Sequence, residues 1–343
     1  MEIHSQKHSN KVISNPLISV IIPTRNEAGI IEETLNCLLN QDFDRNKYEI
    51  IVVDGMSEAA TQNIVKNIRI NDSRVRLLEN QYRSTPFAMN IGLKEAKGEF
   101  ITKSDAHTYY PSNYLSECFK NFKIENIIWA VGGVAYATSK KNTLSSNAIA
   151  LSLHSKLSSG KKGFRTKINK PILSDAAFGT MYSKKIFERI GTFNEKLKRS
   201  QDMEMNIRIL NAGGKILLLP LILKYYPKNT LSAFFKHNIT DGIWAILPLK
   251  YSHFKLRFRH FIPGIFIASI LIAIILTYFN LIFLYILVLM LSIYLLILFI
   301  ESIKIGLKNE SILLIPFLFL AFLTRHFGYG IGSIIGVIKL PFA

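Results

Sequence analysis

Residues 17–41, LISVIIPTRNEAGIIEETLNCLLNQ, set the reading of the chain. LISVII is a continuous apolar run stopped by Pro23, the pattern of a strand buried on both faces. After the polar PTRNEAG, Ile31, Leu35, Leu38 and Leu39 return at helical spacing. The alternation continues downstream. YEIIVV ends at Asp54, TQNIVKNIRI reads as helix, VRLL as strand, TPFAMNIGLKEAKG as helix and EFIT as strand. Such a succession argues an α/β fold, with a parallel sheet wound by helices. In open sheets of this kind ligands bind where strands end and loops converge. Pro23 to Glu27, Asp54 to Ser57 and Ser104 to His107 all lie at such ends and should meet in one cleft.

The next part, about 127 to 226, is less regular. IIWAVGGVAY, AAFGTMY and KILLLP look like strands, Asp202 to Ala212 like a helix. HSKLSSGKKGFRTKINK is basic and glycine-containing and reads as a loop near the cleft, where Lys161, Lys162 and Arg165 could cover a diphosphate or an anionic lipid. No internal repeat, P-loop, paired CxxC or GxSxG motif occurs. Cys37 and Cys118 stand in helix-like contexts and suit buried thiols in a reducing compartment.

With 343 residues, one domain plus a further element is expected. FIPGIFIASILIAIILTYF from Phe261 and LIFLYILVLMLSIYLLILFI from Leu281 carry no charge, and about 20 such residues span a bilayer core. Two membrane helices joined near Asn280 are expected. A third run, Ile312 to Leu340, is interrupted by Thr324-Arg325-His326 and four glycines. It is expected to be a third span that breaks, re-enters or faces protein, because ionisable groups at mid-membrane depth are costly.

Of the formal charge of +18, residues 260 to 343 hold four Lys/Arg and two Asp/Glu, which leaves +16 upstream. Segment 228–260 mixes aromatics with Lys, Arg and His and suits helices on a membrane surface. KYSHFKLRFRH, Lys250 to His260, marks the cytoplasmic side, and Lys304 and Lys308 agree. A basic domain facing anionic lipid accounts for the charge without nucleic acid. MEIHSQKHSNK lacks the apolar core of a signal peptide.

Several residues could carry chemistry. Asp54 ends an apolar strand before Gly55, which permits close backbone approach, and Ser57, a small hydroxyl donor. Its carboxylate can accept hydrogen bonds from a base or ribose, although Asp-Gly is equally a turn. Asp105 and His107 could meet a divalent ion bridging a diphosphate, with Mn²⁺ favoured over Mg²⁺ by the nitrogen ligand. The alternative is a solvated loop. Asp202 opens a predicted helix and is either a cap or a general base, with Gln201 and Glu204 orienting it or the acceptor. Arg25, Arg83 and Lys103 could contact phosphates. His154 and His237 read as structural or interfacial.

In order, ISVIIPTRNEAGIIEETLNCLLNQ, EIIVVDGMSEAAT, RSTPFAMNIGLKEAKGEFITKSDAH, YYPSNYL and AAFGTMYSKKIFERIGTFNEKLKRSQDMEMNIRILNAGGKI resemble the family 2 glycosyltransferases, over about residues 17–226. Within them the chain looks most like the succinoglycan-type exopolysaccharide glucosyltransferases, which also end in membrane helices.

The resemblance implies a GT-A fold and inversion at the anomeric carbon. It places Pro23, Arg25, Glu27 and Asp54 around the uridine and ribose, with Asn90 and Lys94 on the neighbouring helix. It puts Asp105 and His107 at the DxD position for metal and diphosphate, and Asp202 at the catalytic base. His107 replaces the usual second Asp, as is common in this subgroup, and Met203 stands where relatives often carry another Asp. The QxxRW of processive synthases is missing, so addition of a single sugar is expected.

The expected organisation is a polar tail (1–16), a GT-A domain (17–226), an amphipathic membrane-interface segment (227–260) and a transmembrane region (261–343, with spans near 261–279, 281–300 and 312–338). The expected function is transfer of a hexose from a UDP-sugar to an undecaprenyl-diphosphate-linked oligosaccharide in exopolysaccharide or capsule assembly. The protein would be multi-pass in the bacterial inner membrane, with a cytoplasmic catalytic domain and polysaccharide-assembly proteins as partners. Alternatives are a polyprenyl-phosphate sugar transferase that charges the lipid carrier, and a non-catalytic recruiter that binds nucleotide-sugars.

Overall fold

The computed structural model describes residues 15–122, 127–160, 164–251 and 258–342. Most of the expected N-terminal tail, Lys161, Lys162 and the centre of the basic segment 250–260 lie outside the described residues.

The first half follows the alternation read from the sequence: β1 (Ile18–Thr24), α1 (Ile31–Leu39), β2 (Tyr48–Asp54), α2 (Ala59–Asn71), β3 (Val75–Glu79), α3 (Thr85–Glu95) and β4 (Phe100–Lys103). These four strands are parallel in the order β3-β2-β1-β4. Although the strand sequences are continuously apolar, their period of two still sorts them onto two faces. Ile18, Val20 and Ile22 pack with Leu35, Leu38 and Val65 on one side. Ile21, Ile51 and Val53 pack with Ala88, Met89 and Leu93 on the other. Each fully buried Val, Leu, Ile or Met among them contributes roughly 1.5–3 kcal/mol.

Beyond β4 come β5 (Thr108–Tyr109), α4 (Tyr114–Phe122), β6 (Ile128–Ala137), α5 (Leu144–Ser152), α6 (Lys156–Ser159), β7 (Ile172–Ser174), β8 (Phe178–Ser183), α7 (Lys185–Ile190), α8 (Gln201–Asn211) and β9 (Lys215–Tyr225). Here the sheet stops being wholly parallel. β8 lies antiparallel to both β4 and β6, while β6 and β9 are parallel. The full order is β3-β2-β1-β4-β8-β6-β9-β5, with β7 on β9. The expected short strand KILLLP is the first half of an 11-residue β9.

The chain continues as α9 (Leu231–Ile246), α10 (Pro248–Tyr251), α11 (Ile262–Thr277), α12 (Ile282–Lys308) and α13 (Leu314–Lys339). By length and composition α12 and α13 could cross a membrane, whereas α11, with 16 residues, is shorter. The turn expected near Asn280 lies between α11 and α12. The third apolar run forms one unbroken helix despite its glycines, because the glycines face protein. A Cβ on Gly332 would overlap the Ile239 carbonyl, and one on Gly242 the Tyr329 carbonyl. Close approach of α9 and α13 therefore requires residues without side chains at both positions.

Candidate active site

Two loops at the carboxyl ends of β1 and β2 are stitched together. Asn26, in the left-handed region at φ 55°, donates its N–H to Ser57 Oγ at 2.9 Å, and Glu58 N donates back to Asn26 Oδ1 at 2.9 Å. Gly55 N donates to the Thr24 carbonyl at 2.8 Å. This lattice holds Asp54, only 2 % exposed, at the end of β2. Its Oδ2 accepts from Ser57 N at 3.0 Å and from Gln62 Nε2 at 2.9 Å, while Oδ1 is buried with no hydrogen-bond partner. An unsatisfied buried carboxylate oxygen is costly, and a ligand N–H or hydroxyl would relieve it. Pro23 lies half-buried in β1, Arg25 is exposed, and Ser57 shapes the loops through its hydroxyl.

Two strands across, β4 ends in Lys103, whose side chain is 9 % exposed. Its Nζ lies 2.9 Å from Asp105 Oδ1 and 3.1 Å from Asp202 Oδ2. Burial opposes the charge on Lys103, but the two carboxylates hold its pKa well above the ordinary value. Burial likewise works against ionised Asp105, yet Lys103 and then His107 keep its carboxyl below the usual range. Tyr110 fixes the turn by accepting the Asp105 N–H at 2.8 Å.

His107 Nδ1 is 3.4 Å from Glu27 Oε1, and that contact raises the imidazole pKa despite partial burial. Glu27 thus joins the His107 side of the cleft.

Asp202 sits in the first turn of α8 but does not cap it. The cap position is Ser200, at φ 62°, and no side-chain cap bond forms. The Asp202 side chain is 48 % exposed and its Oδ1 has no hydrogen-bond partner. Burial of the group raises its pKa and Asp105 adds to this, against the opposing pull of Lys103. A carboxylate with a free oxygen and a raised pKa is equipped to accept a proton.

Other expected residues lie elsewhere. Residues two apart on a helix point about 200° apart, and Glu204 accordingly turns inward from Asp202. It pairs with Arg208 at 2.7 Å, and Arg208 also donates to the carbonyls of Ile190, Gly191 and Thr192. Asn90 Nδ2 donates to the Phe193 carbonyl and to Glu195 Oε1, and its Oδ1 accepts from Phe193 N, which ties α3 to the loop before α8. Lys94 is exposed on the last turn of α3. Gln201 is buried, with Oε1 unpartnered. Sequence reasoning missed Gln62, Tyr110 and the bridging place of Lys103. The last had a signal, a lysine ending an apolar strand two residues before an aspartate.

The chemistry of Asp105 and His107 suits a divalent cation. Metal-binding histidines commonly have their second ring nitrogen held by a carboxylate, and Glu27 beside Nδ1 leaves Nε2 as the ligating atom. Asp105 offers a hard oxygen. Among the described residues no cluster of three or more ligating side chains occurs, so a substrate would supply further ligands.

The model for Glycosyl transferase family 2 matches residues 19–191. The chain belongs to this family, and it is a glycosyltransferase of GT-A fold rather than a non-catalytic recruiter. It is 29 % identical over 246 residues to the dolichyl N-acetyl-α-D-glucosaminyl phosphate 3-β-D-2,3-diacetamido-2,3-dideoxy-β-D-glucuronosyltransferase of Methanococcus voltae, covering 70 % of this chain and 76 % of that one. It is 26 % identical over 251 residues to the succinoglycan biosynthesis protein ExoA of Rhizobium meliloti, covering 67 % and 74 %. A mannosyltransferase of Pyrobaculum calidifontis, solved with GDP-Man and Mn2+, shares the fold at a TM-score of 0.55 and 18 % identity, over 91 % of this chain and 87 % of that one.

Proposed function

We propose that this protein is an inverting, non-processive hexosyltransferase that moves a sugar from UDP to an undecaprenyl-diphosphate-linked oligosaccharide in exopolysaccharide or capsule assembly. It acts at the cytoplasmic face of the bacterial inner membrane, with its apolar C-terminal helices in the bilayer. The observation that carries this reading is the pair of carboxylates, Asp105 and Asp202, on the two sides of one buried ammonium. The relatives' names add a dolichyl phosphate-linked sugar and succinoglycan biosynthesis as neighbouring chemistries.

In this mechanism Asp54 receives the uridine through its unpartnered Oδ1, with Pro23, Arg25 and Glu27 lining the same loops. Asp105 and His107 would hold a divalent cation, Mn²⁺ before Mg²⁺, which would supply charge neutralisation for the UDP leaving group. Asp202 takes the proton from the acceptor hydroxyl as its oxygen bonds to the anomeric carbon and the bond from that carbon to the UDP oxygen breaks. Attack opposite the leaving group inverts the anomeric centre.

Incubating membranes that contain the protein with labelled UDP-hexose tests the acceptor. Label should pass to lipid-linked oligosaccharide and not to bare polyprenyl phosphate. Transfer to the bare phosphate would instead make this a carrier-charging enzyme.

A further inference from the structure

A second cavity, basic on one side, lies away from the nucleotide loops, where the α6 region meets α11 and α13. Its volume is about 410 Å3. Lys156, Arg165, His260, Arg325 and His326 line it against a single carboxylate, Asp175, among the described lining residues. The partners of Arg325 among the described residues are neutral: Asn238 Oδ1 at 3.3 Å and the Ser158 carbonyl at 3.0 Å. Arg165 Nε and Ser158 Oγ are buried without hydrogen-bond partners. Among the described residues neither guanidinium forms an ion pair with a carboxylate, so the two repel each other and leave donors unmet, a cost that an anion removes.

The remaining wall is apolar and leads to the hairpin. Ile262 and Pro263 at the start of α11 belong to the lining. The Pro263 carbonyl sits against Gly330, which holds α11 to α13 at this level. From there α11 and α12 present exposed Ile265, Leu271, Ile272, Ile275 and their neighbours. An anion bound here can therefore carry a long apolar tail along the hairpin. Contacts also connect the cavity to the segment that leads into Asp202. Asn238, which holds Arg325, is three residues before Asp241, which pairs with Arg199 at 2.6 Å, and Arg199 is three residues before Asp202.

We propose that this cavity binds the phosphate or diphosphate headgroup of the polyprenyl acceptor, with Arg165 and Arg325 as its two anion ligands. The assignment rests on the lipid-linked acceptor reading above and gives that acceptor a place. It also accounts for an arginine inside LIPFLFLAFLTRHFG, where an unemployed charge would be costly.

The test measures binding of undecaprenyl diphosphate, inorganic pyrophosphate and UDP to the full chain in detergent micelles, for wild type, Arg165→Gln and Arg325→Gln. Both variants should bind undecaprenyl diphosphate at least about tenfold more weakly, with UDP binding unchanged within about twofold. If Arg325→Gln does not fold, Arg165→Gln, on a half-buried loop position, decides. Unchanged lipid binding in the variants overturns the cavity assignment and leaves the lipid-acceptor reading standing. A wild type that binds no lipid diphosphate overturns both. Loss of UDP binding together with lipid binding, or pyrophosphate binding as tight as the lipid's, assigns the cavity to a soluble diphosphate and overturns the lipid assignment.

Discussion

Lys103 Nζ stands between Asp105 Oδ1, at 2.9 Å, and Asp202 Oδ2, at 3.1 Å. One carboxylate follows β4 and the other opens α8, about a hundred residues later, so a single ammonium joins the two halves of the cleft. A lone buried lysine would tend to lose its proton, but the flanking carboxylates keep this one charged. On the proposed mechanism Lys103 is a positioning residue: it sits between the two acids and pulls the Asp202 pKa down against burial.

Replacing this cation with an apolar chain of similar length, Lys103→Met, should lower kcat by about 10²-fold, the scale of losing one preorganised charge. Without Lys103, Asp202 faces Asp105 unscreened and its pKa rises further. The acid limb of the pH–rate profile should therefore move to higher pH. A profile with an unmoved acid limb would show that Lys103 does not act through Asp202.

The seam between α9 and α13 makes a stability prediction. Gly332→Ala places a methyl group against the Ile239 carbonyl and should cost about 1–3 kcal/mol, read as a lowered Tm in thermal unfolding of the detergent-solubilised protein. Gly29→Ala, where a Cβ meets nothing within 4 Å, is the control and should leave Tm almost unchanged.

Asp72 anchors the edge of the sheet through Arg74 at 2.6 Å and Arg45 at 3.0 Å. Burial works against its charge, but the Arg74 hydrogen bonds hold the carboxyl below its ordinary value of 3.8. A depressed folded-state pKa gives stability that is complete above the unfolded value and is lost as pH falls through the folded one. Asp72→Asn should cost about 1.5–3 kcal/mol near neutral pH. In urea unfolding, the difference from wild type should shrink below about pH 4.

Much of this was legible in the sequence, for physical reasons. Asp54, Asp105 and Asp202 each sit at the end of a strand or the start of a helix that announces itself by apolar spacing. The parallel core followed from LISVII and YEIIVV. The direction of β8 did not, because AAFGTMY carries no sign of whether its partner runs with or against it. Lys103 was one basic residue among many until the fold placed Asp202 beside it. Asn90 and Glu204 have the right chemistry for ligands, but Asn90 binds Phe193 and Glu195, a long-range contact that spacing does not encode, and Glu204 pairs with Arg208 one turn further along α8. The glycines of 328–336 read as helix breakers, yet Gly328, Gly332 and Gly336 are the close-approach surface for α9 and Gly330 is that for α11.

Asp202→Asn tests the central claim most directly, with transfer and UDP binding measured on the same preparation. Removing only the proton acceptor should reduce transfer by about 10³-fold or more while the Kd for UDP stays within about twofold. Retained transfer, or loss of UDP binding in step with transfer, would contradict the assignment of Asp202 as the base on the acceptor.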